Sequence, residues 1–244
     1  MEGVEIETTS ERQDSQKGIK SETSHPYSNR TRRLALVAVL TALYIAANAV
    51  PIDAFIGGAG FITAGIILLP VISRIVRPWE ALIVAVVAPL GLFVFQLSVV
   101  PVFGFYGMLI PASAIVLGSL GFYKSYLIPT AYIAFGAVWY LLFSNGIPIW
   151  LIPYFVAVFL AVLNQVRPFA RGTKAEVVLY SFLVTMCELV TMNIGSISVL
   201  KLPGALWTII TPFMFVERTV AVIGATSVLV ALIRVKQVLR VGEI

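Results

Sequence analysis

Long uncharged apolar runs recur from Leu34 almost to the end of the chain, and no other feature constrains the fold so strongly. They lie near residues 34–50, 55–75, 80–100, 104–122, 127–144, 147–165, 176–198 and 212–234. Each is long enough, or nearly so, to cross about 30 Å of hydrocarbon at about 1.5 Å per helical residue. Composition agrees: 59% of the 244 residues are apolar and 12% charged, with a mean hydropathy of +0.96, far above that of a soluble domain. The expectation is an all-α integral membrane protein, a polytopic helical bundle of about eight transmembrane segments, with six or seven if some runs do not cross. The fourth and sixth runs contain "GFYGMLIP" and "GIPIWLIP". Glycine and proline weaken a helix there, so both are candidates for re-entrant segments.

Residues 1–33 differ sharply from the rest of the chain. Six acids (Glu2, Glu5, Glu7, Glu11, Asp14, Glu22) mix with six bases (Arg12, Lys17, Lys20, Arg30, Arg32, Arg33) among Ser, Thr and Gln. With almost nothing to bury, the stretch reads as a disordered cytoplasmic tail rather than a signal peptide. Residues 34–236 form the transmembrane domain and 237–244 a short cytoplasmic tail. With the N-terminus inside, Arg74, Arg77, Lys124, Arg167, Arg171, Lys174, Arg234, Lys236 and Arg240 join the N-terminal arginines on the cytoplasmic side, while Lys201 faces out. That asymmetry predicts an even number of crossings, both termini cytoplasmic and a place in the cell membrane. The net charge of +5 is therefore an orientation signal and a match to anionic lipid, and calls for no nucleic acid.

Several chemistries drop out. One histidine, His25, and one cysteine, Cys187, leave no disulfide framework and no metal cluster of Cys and His, so neither a metal nor a cofactor is expected. The few aspartates, Asp14 and Asp53, provide no paired acidic motif to hold Mg²⁺ against phosphates. Bundle histidines and a Gly-x-Ser-x-Gly elbow are both lacking, so a hydroxyl nucleophile has no usual base and an enzyme is not expected. "IGGAGF" has neither the lysine nor the setting of a phosphate cradle and reads as a hinge or tight turn.

Polar residues inside the runs gather in the outer half. Asn48 ends the first run, Gln96 and Ser98 lie toward the outer end of the third, and "VTMCELVTMNIGSIS" puts Glu188 near mid-membrane with Asn193 above it. "FMFVERTVAVIG" carries Glu217 and Arg218 one to two turns below the outer surface. An ionised group at mid-span costs about 2.5–3.5 kcal/mol even on a lenient scale, so these three must be paired or wet. Adjacent helix positions diverge by about 100°, so Glu217 and Arg218 are expected to seek different partners. Arg218 is assigned to Glu188, and Glu217 to Lys201 or a ligand. The candidate binding set is Glu188, Asn193, Glu217, Arg218, Asn48, Gln96 and Trp207. Tyr106, Trp150 and Trp207 could stack on a ring, although interfacial anchoring is the commoner use of such residues. A structural interhelical ion pair and simple helix glue are the competing uses of these side chains.

The first run carries small residues at spacings of three and four, among them Ala38, Ala42 and Ala46. Such a face lets another helix approach closely, within the bundle or from a second membrane protein. This Ala-x-x-x-Ala span after a basic tail, the irregular Gly/Pro loop Pro51 to Gly60, the closely spaced runs after it and the charged last span resemble the S component of energy-coupling factor transporters. The resemblance implies a substrate-binding membrane subunit without its own ATPase. It further implies that Ala38, Ala42 and Ala46 dock on a transmembrane coupling subunit served by ATPases. The Pro51 to Gly60 loop would then close over a vitamin or similar small molecule captured from outside. That family usually has six spans, against about eight counted here. Three other classes stay open: a stand-alone secondary transporter or channel using Glu188 as its coupling site, a membrane enzyme, and a scaffold or assembly subunit.

Overall fold

The computed structural model describes residues 26–55, 60–97, 100–168, 170 and 172–241. The chain divides into two units, Met1–Leu36 and Val37–Ile244. In the first unit the described residues, 26–36, are the opening turns of helix α1, which spans Pro26–Ala47. The helix therefore starts eight residues before the expected boundary at Leu34. Proline is well suited to a first helical position, and arginines such as Arg30 and Arg32 are good helix formers that stay exposed. The rest of the expected tail, residues 1–25, lies outside the described residues.

In the second unit the order is β1 (Pro51–Phe55), β2 (Gly60–Thr63), α2 (Gly65–Ile75), α3 (Pro78–Val94), a 3-10 segment (Val100–Met108), α4 (Leu109–Tyr123), α5 (Leu127–Phe143), a short 3-10 turn (Pro148–Leu151), α6 (Ile152–Val166), α7 (Lys174–Ser198) and α8 (Gly204–Val241). Four helical stretches are long and apolar enough to cross a membrane among the described residues: Val100–Tyr123, Pro148–Val166, Lys174–Ser198 and Gly204–Val235. The two runs suspected of being re-entrant are thus both among these four. In each, the Gly/Pro stretch forms a 3-10 lead-in to an α-helix, with Gly104 at φ 58° breaking the first of them.

The second run departs most from expectation. Its first part is an antiparallel hairpin, Pro51 pairing with Thr63, Asp53 with Ile62, Ala54 with Phe61 and Phe55 with Gly60, with a register shift between Pro51 and Asp53. The helix after it has 11 residues, about 16 Å of rise, well short of a hydrocarbon core. Hairpin strands bond their backbone groups to each other, which irregular chain at membrane depth requires when water is scarce. The last helix also differs, beginning at Gly204 right after Pro203 and running on through the expected C-terminal tail to Val241.

Helix α7 is the axis of the bundle and packs against α2, α4, α5, α6 and α8. It is the most polar of the long helices in its middle and also the most buried, with Leu183, Met186, Cys187, Leu189 and Val190 at or near zero exposure. Thr, Glu and Asn are tolerated there because α7 meets protein on all sides rather than lipid. Outer helices show the inverse pattern. Leu82, Val86, Leu90 and Val94 form an exposed stripe on α3, and Phe135, Val138 and Leu142 another on α5. A helix that turns its large apolar side chains outward is suited to a hydrocarbon solvent.

Candidate binding site

Two charged elements meet at mid-bundle. Glu188 is on α7 and Arg218 on α8, and the Arg218 Nη1 donates to Glu188 Oε2 at 2.8 Å and to the Thr185 carbonyl at 2.8 Å. Thr185 and Glu188 are one turn apart on α7, so a single guanidinium nitrogen spans both. The Arg218 Nη2 binds the Glu217 carboxylate. This corrects the sequence expectation that Glu217 and Arg218 would look for different partners: their Cα–Cβ directions diverge, but the long arginine side chain folds back and serves both acids. Lys201, the partner suggested for Glu217, is exposed in the connection between α7 and α8 at φ 51°. Arg218 is 4% exposed and Glu217 7%, and Arg218 Nε has no hydrogen-bond partner among the described residues. Counted from Gly204, where α8 starts, the two charges lie about 20 Å along the helix.

On its other side Glu188 lines a cavity built from several elements. Tyr44 of α1, Asn48 in the turn just after it, Ile62 and Thr63 of β2, Ile66 of α2, Val100, Ile110 and Pro111 around the start of α4, and Met192 of α7 complete the wall. Asn48 ties the chamber together: its Nδ2 donates to the Tyr44 carbonyl at 2.8 Å, and its Oδ1 accepts the Thr63 hydroxyl at 2.5 Å. The close approach depends on Gly65, where an added Cβ would stand 2.1 Å from Asn48 Nδ2. The cavity volume is about 20 Å³, room for about one water-sized group.

The candidate residues therefore fall into two sets. Asn48 and Glu188 share the cavity, and Arg218 and Glu217 stand behind Glu188. Gln96, Asn193 and Trp207 do not line it. Gln96 is exposed at φ 53° and donates to the Phe93 carbonyl at the end of α3. Asn193 faces α6, its Nδ2 bonded to the Tyr154 hydroxyl. Trp207 is 1% exposed and packs edge-on against Tyr140 and Trp150, ring centroids 5.3 and 5.1 Å away. With Trp150 2% exposed, both tryptophans are core residues rather than interfacial anchors. Ser98 lies outside the described residues, as does the tip of the loop at 56–59.

Two polar chamber residues, Tyr44 and Thr63, were not singled out in the sequence. Tyr44 could have been, because it sits four residues before Asn48 on one helix face. Thr63 gave no signal, being one threonine in a glycine-rich apolar stretch. The three alanines of α1 are all exposed, on the side of the helix away from the buried Val37, Thr41, Tyr44 and Asn48. Comparison with family models, with curated proteins and with solved structures returned no match.

Proposed function

We propose that the chain is a membrane-embedded subunit that captures a small molecule from outside and relies on a separate coupling protein and ATPases for uptake. One observation carries this reading: Asn48, Thr63 and Glu188, from three separate parts of the chain, converge on one small cavity beside a β-hairpin that interrupts the helical bundle. Irregular backbone among membrane helices is tolerated where it is buried in protein or borders a wet cavity, and binding sites use it for that reason. The hairpin is the closure, held by the Thr63–Asn48 bond and released when a molecule enters. Exposure of Ala38, Ala42 and Ala46 supports α1 as the docking face for the coupling subunit. The positive-inside asymmetry supports cytoplasmic termini in the cell membrane, with an even number of crossings between six and eight. The subunit is not an enzyme in this reading, and its partners are the substrate, the bilayer and the energising complex.

Purification from its own membranes in mild detergent, with mass spectrometry of accompanying proteins and small molecules, tests the proposal. An ATPase pair with a coupling subunit, or a retained small molecule, is expected. A protein that carries neither and moves a solute alone in liposomes would sink it. That second outcome would favour an independent carrier, for which the buried Glu188–Arg218 pair is the supporting observation, because intramembrane acids commonly serve as coupling sites.

A further inference from the structure

The walls of the chamber present hydrogen-bond acceptors and one negative charge. Among its lining residues Glu188 alone is charged; Arg218 lies behind it and does not line the cavity. Two of the side-chain donors are already engaged. Asn48 Nδ2 is bonded to the Tyr44 carbonyl and the Thr63 hydroxyl to Asn48 Oδ1, and the Tyr44 hydroxyl, which can donate as well as accept, also lines the wall. Acceptor capacity remains on Asn48 Oδ1, on Thr63 Oγ1 and on the Glu188 carboxylate, of which Arg218 takes Oε2. Arg218 is itself shared with Glu217, so it does not neutralise Glu188 alone. The rest of the wall is Ile62, Ile66, Val100, Ile110, Pro111 and Met192, a surface for an apolar or flat body.

From this geometry we infer that the captured molecule carries a positively charged nitrogen, an ammonium or a protonated N-heterocycle, and seats it on Glu188. The inference rests on the capture reading above and adds the class of substrate. A carboxylate or phosphate group would face the Glu188 carboxylate with no cation lining the cavity, and burial makes that repulsion costly. A cationic nitrogen instead meets acceptors on three sides, and charge-assisted bonds in a dry cavity are the stronger kind. The cavity, at about 20 Å³, has room for an ammonium group alone, so a heterocyclic ring or the body of the molecule is admitted by displacement of the hairpin.

The test uses the full chain in lipid nanodiscs and follows thermal stability with three probes of one shape: benzylammonium, benzyl alcohol and benzoate, at matched ionic strength. Benzylammonium alone is expected to stabilise the protein. Glu188→Gln should weaken that response about tenfold, as loss of a charged partner does. Because Glu188→Gln also removes a partner of Arg218, Thr63→Val serves as the second variant; it leaves the ion pair intact and should weaken the benzylammonium response several-fold. Stabilisation by benzoate, equal effects of alcohol and ammonium, no response to any probe, or a benzylammonium response unchanged in folded variants would each overturn the inference. Small molecules extracted from protein purified from its own membranes separate the two levels. A retained compound with a protonatable nitrogen supports the inference. One without it overturns the charge class and leaves the capture reading standing, whereas no retained compound and no partner defeats the capture reading itself.

Discussion

The two sides of α7 solve the same problem in different ways. Toward α8 and the hairpin, the helix offers Glu188, which meets Arg218 and a cavity. Toward α4 and α5 it offers Thr191, whose hydroxyl meets those of Ser113 at 2.5 Å and Tyr132 at 2.8 Å, while its carbonyl accepts from Tyr106 at 2.8 Å. The second side is polar but uncharged, its named donors finding acceptors within the cluster. Neutral clusters of this kind hold membrane helices together at modest energy. The first side combines ionised groups with unused acceptor capacity and a β-hairpin. A protein that needed helix packing alone could have used the cheaper chemistry twice, which is why the charged side is the candidate for function.

Breaking the charged side should have the largest effect. Arg218→Leu leaves Glu188 and Glu217 without their shared cation in the bundle, and a loss of about 3–5 kcal/mol is expected in unfolding measured in nanodiscs or mild detergent. Removing Glu188 and Glu217 together with Arg218, each replaced by an apolar residue of similar size, should restore much of that stability while abolishing binding, because the desolvation cost disappears with the charges. Next comes the hairpin latch. Gly65→Ala places a Cβ where Asn48 Nδ2 now lies; it should cost about 1–3 kcal/mol and increase hydrogen exchange in residues 60–63. On the neutral side, Tyr132→Phe removes one bond to Thr191 and is expected to cost about 0.6 kcal/mol. Smallest of all, Gln96→Ala should change stability by less than about 0.5 kcal/mol and leave binding intact, since its exposed side chain bonds the nearby Phe93 carbonyl and does not line the cavity.

Eight helices were legible in the sequence because long apolar runs and basic loops leave strong marks in any window. The Glu188–Arg218 pair was legible too, since isolated charges in neighbouring apolar helices have few other ways to be satisfied. Three features were hidden. Residues 51–63 are rich in Gly, Ala, Phe and Ile, so hydropathy alone merged a hairpin and a half-length helix into one span. The contact between Glu217 and Arg218 depends on the reach of a guanidinium, which helix periodicity ignores. Asn193 differs from Asn48 only in which helix it faces: one bonds Tyr154 of α6 and the other holds Thr63 of the hairpin. Rotation about the helix axis decides that, and a polar residue in a run buried on all sides gives no sign of it.

The central claim is that the hairpin side of α7 opens to the outside while the hydroxyl side stays shut. The most direct measurement replaces Cys187 with Ala, introduces Thr63→Cys or Ser113→Cys one at a time, and treats intact cells with a membrane-impermeant thiol reagent. The account predicts labelling at residue 63 from outside and little at residue 113. Equal labelling at both positions, or labelling at residue 63 from the cytoplasmic side alone, would contradict it.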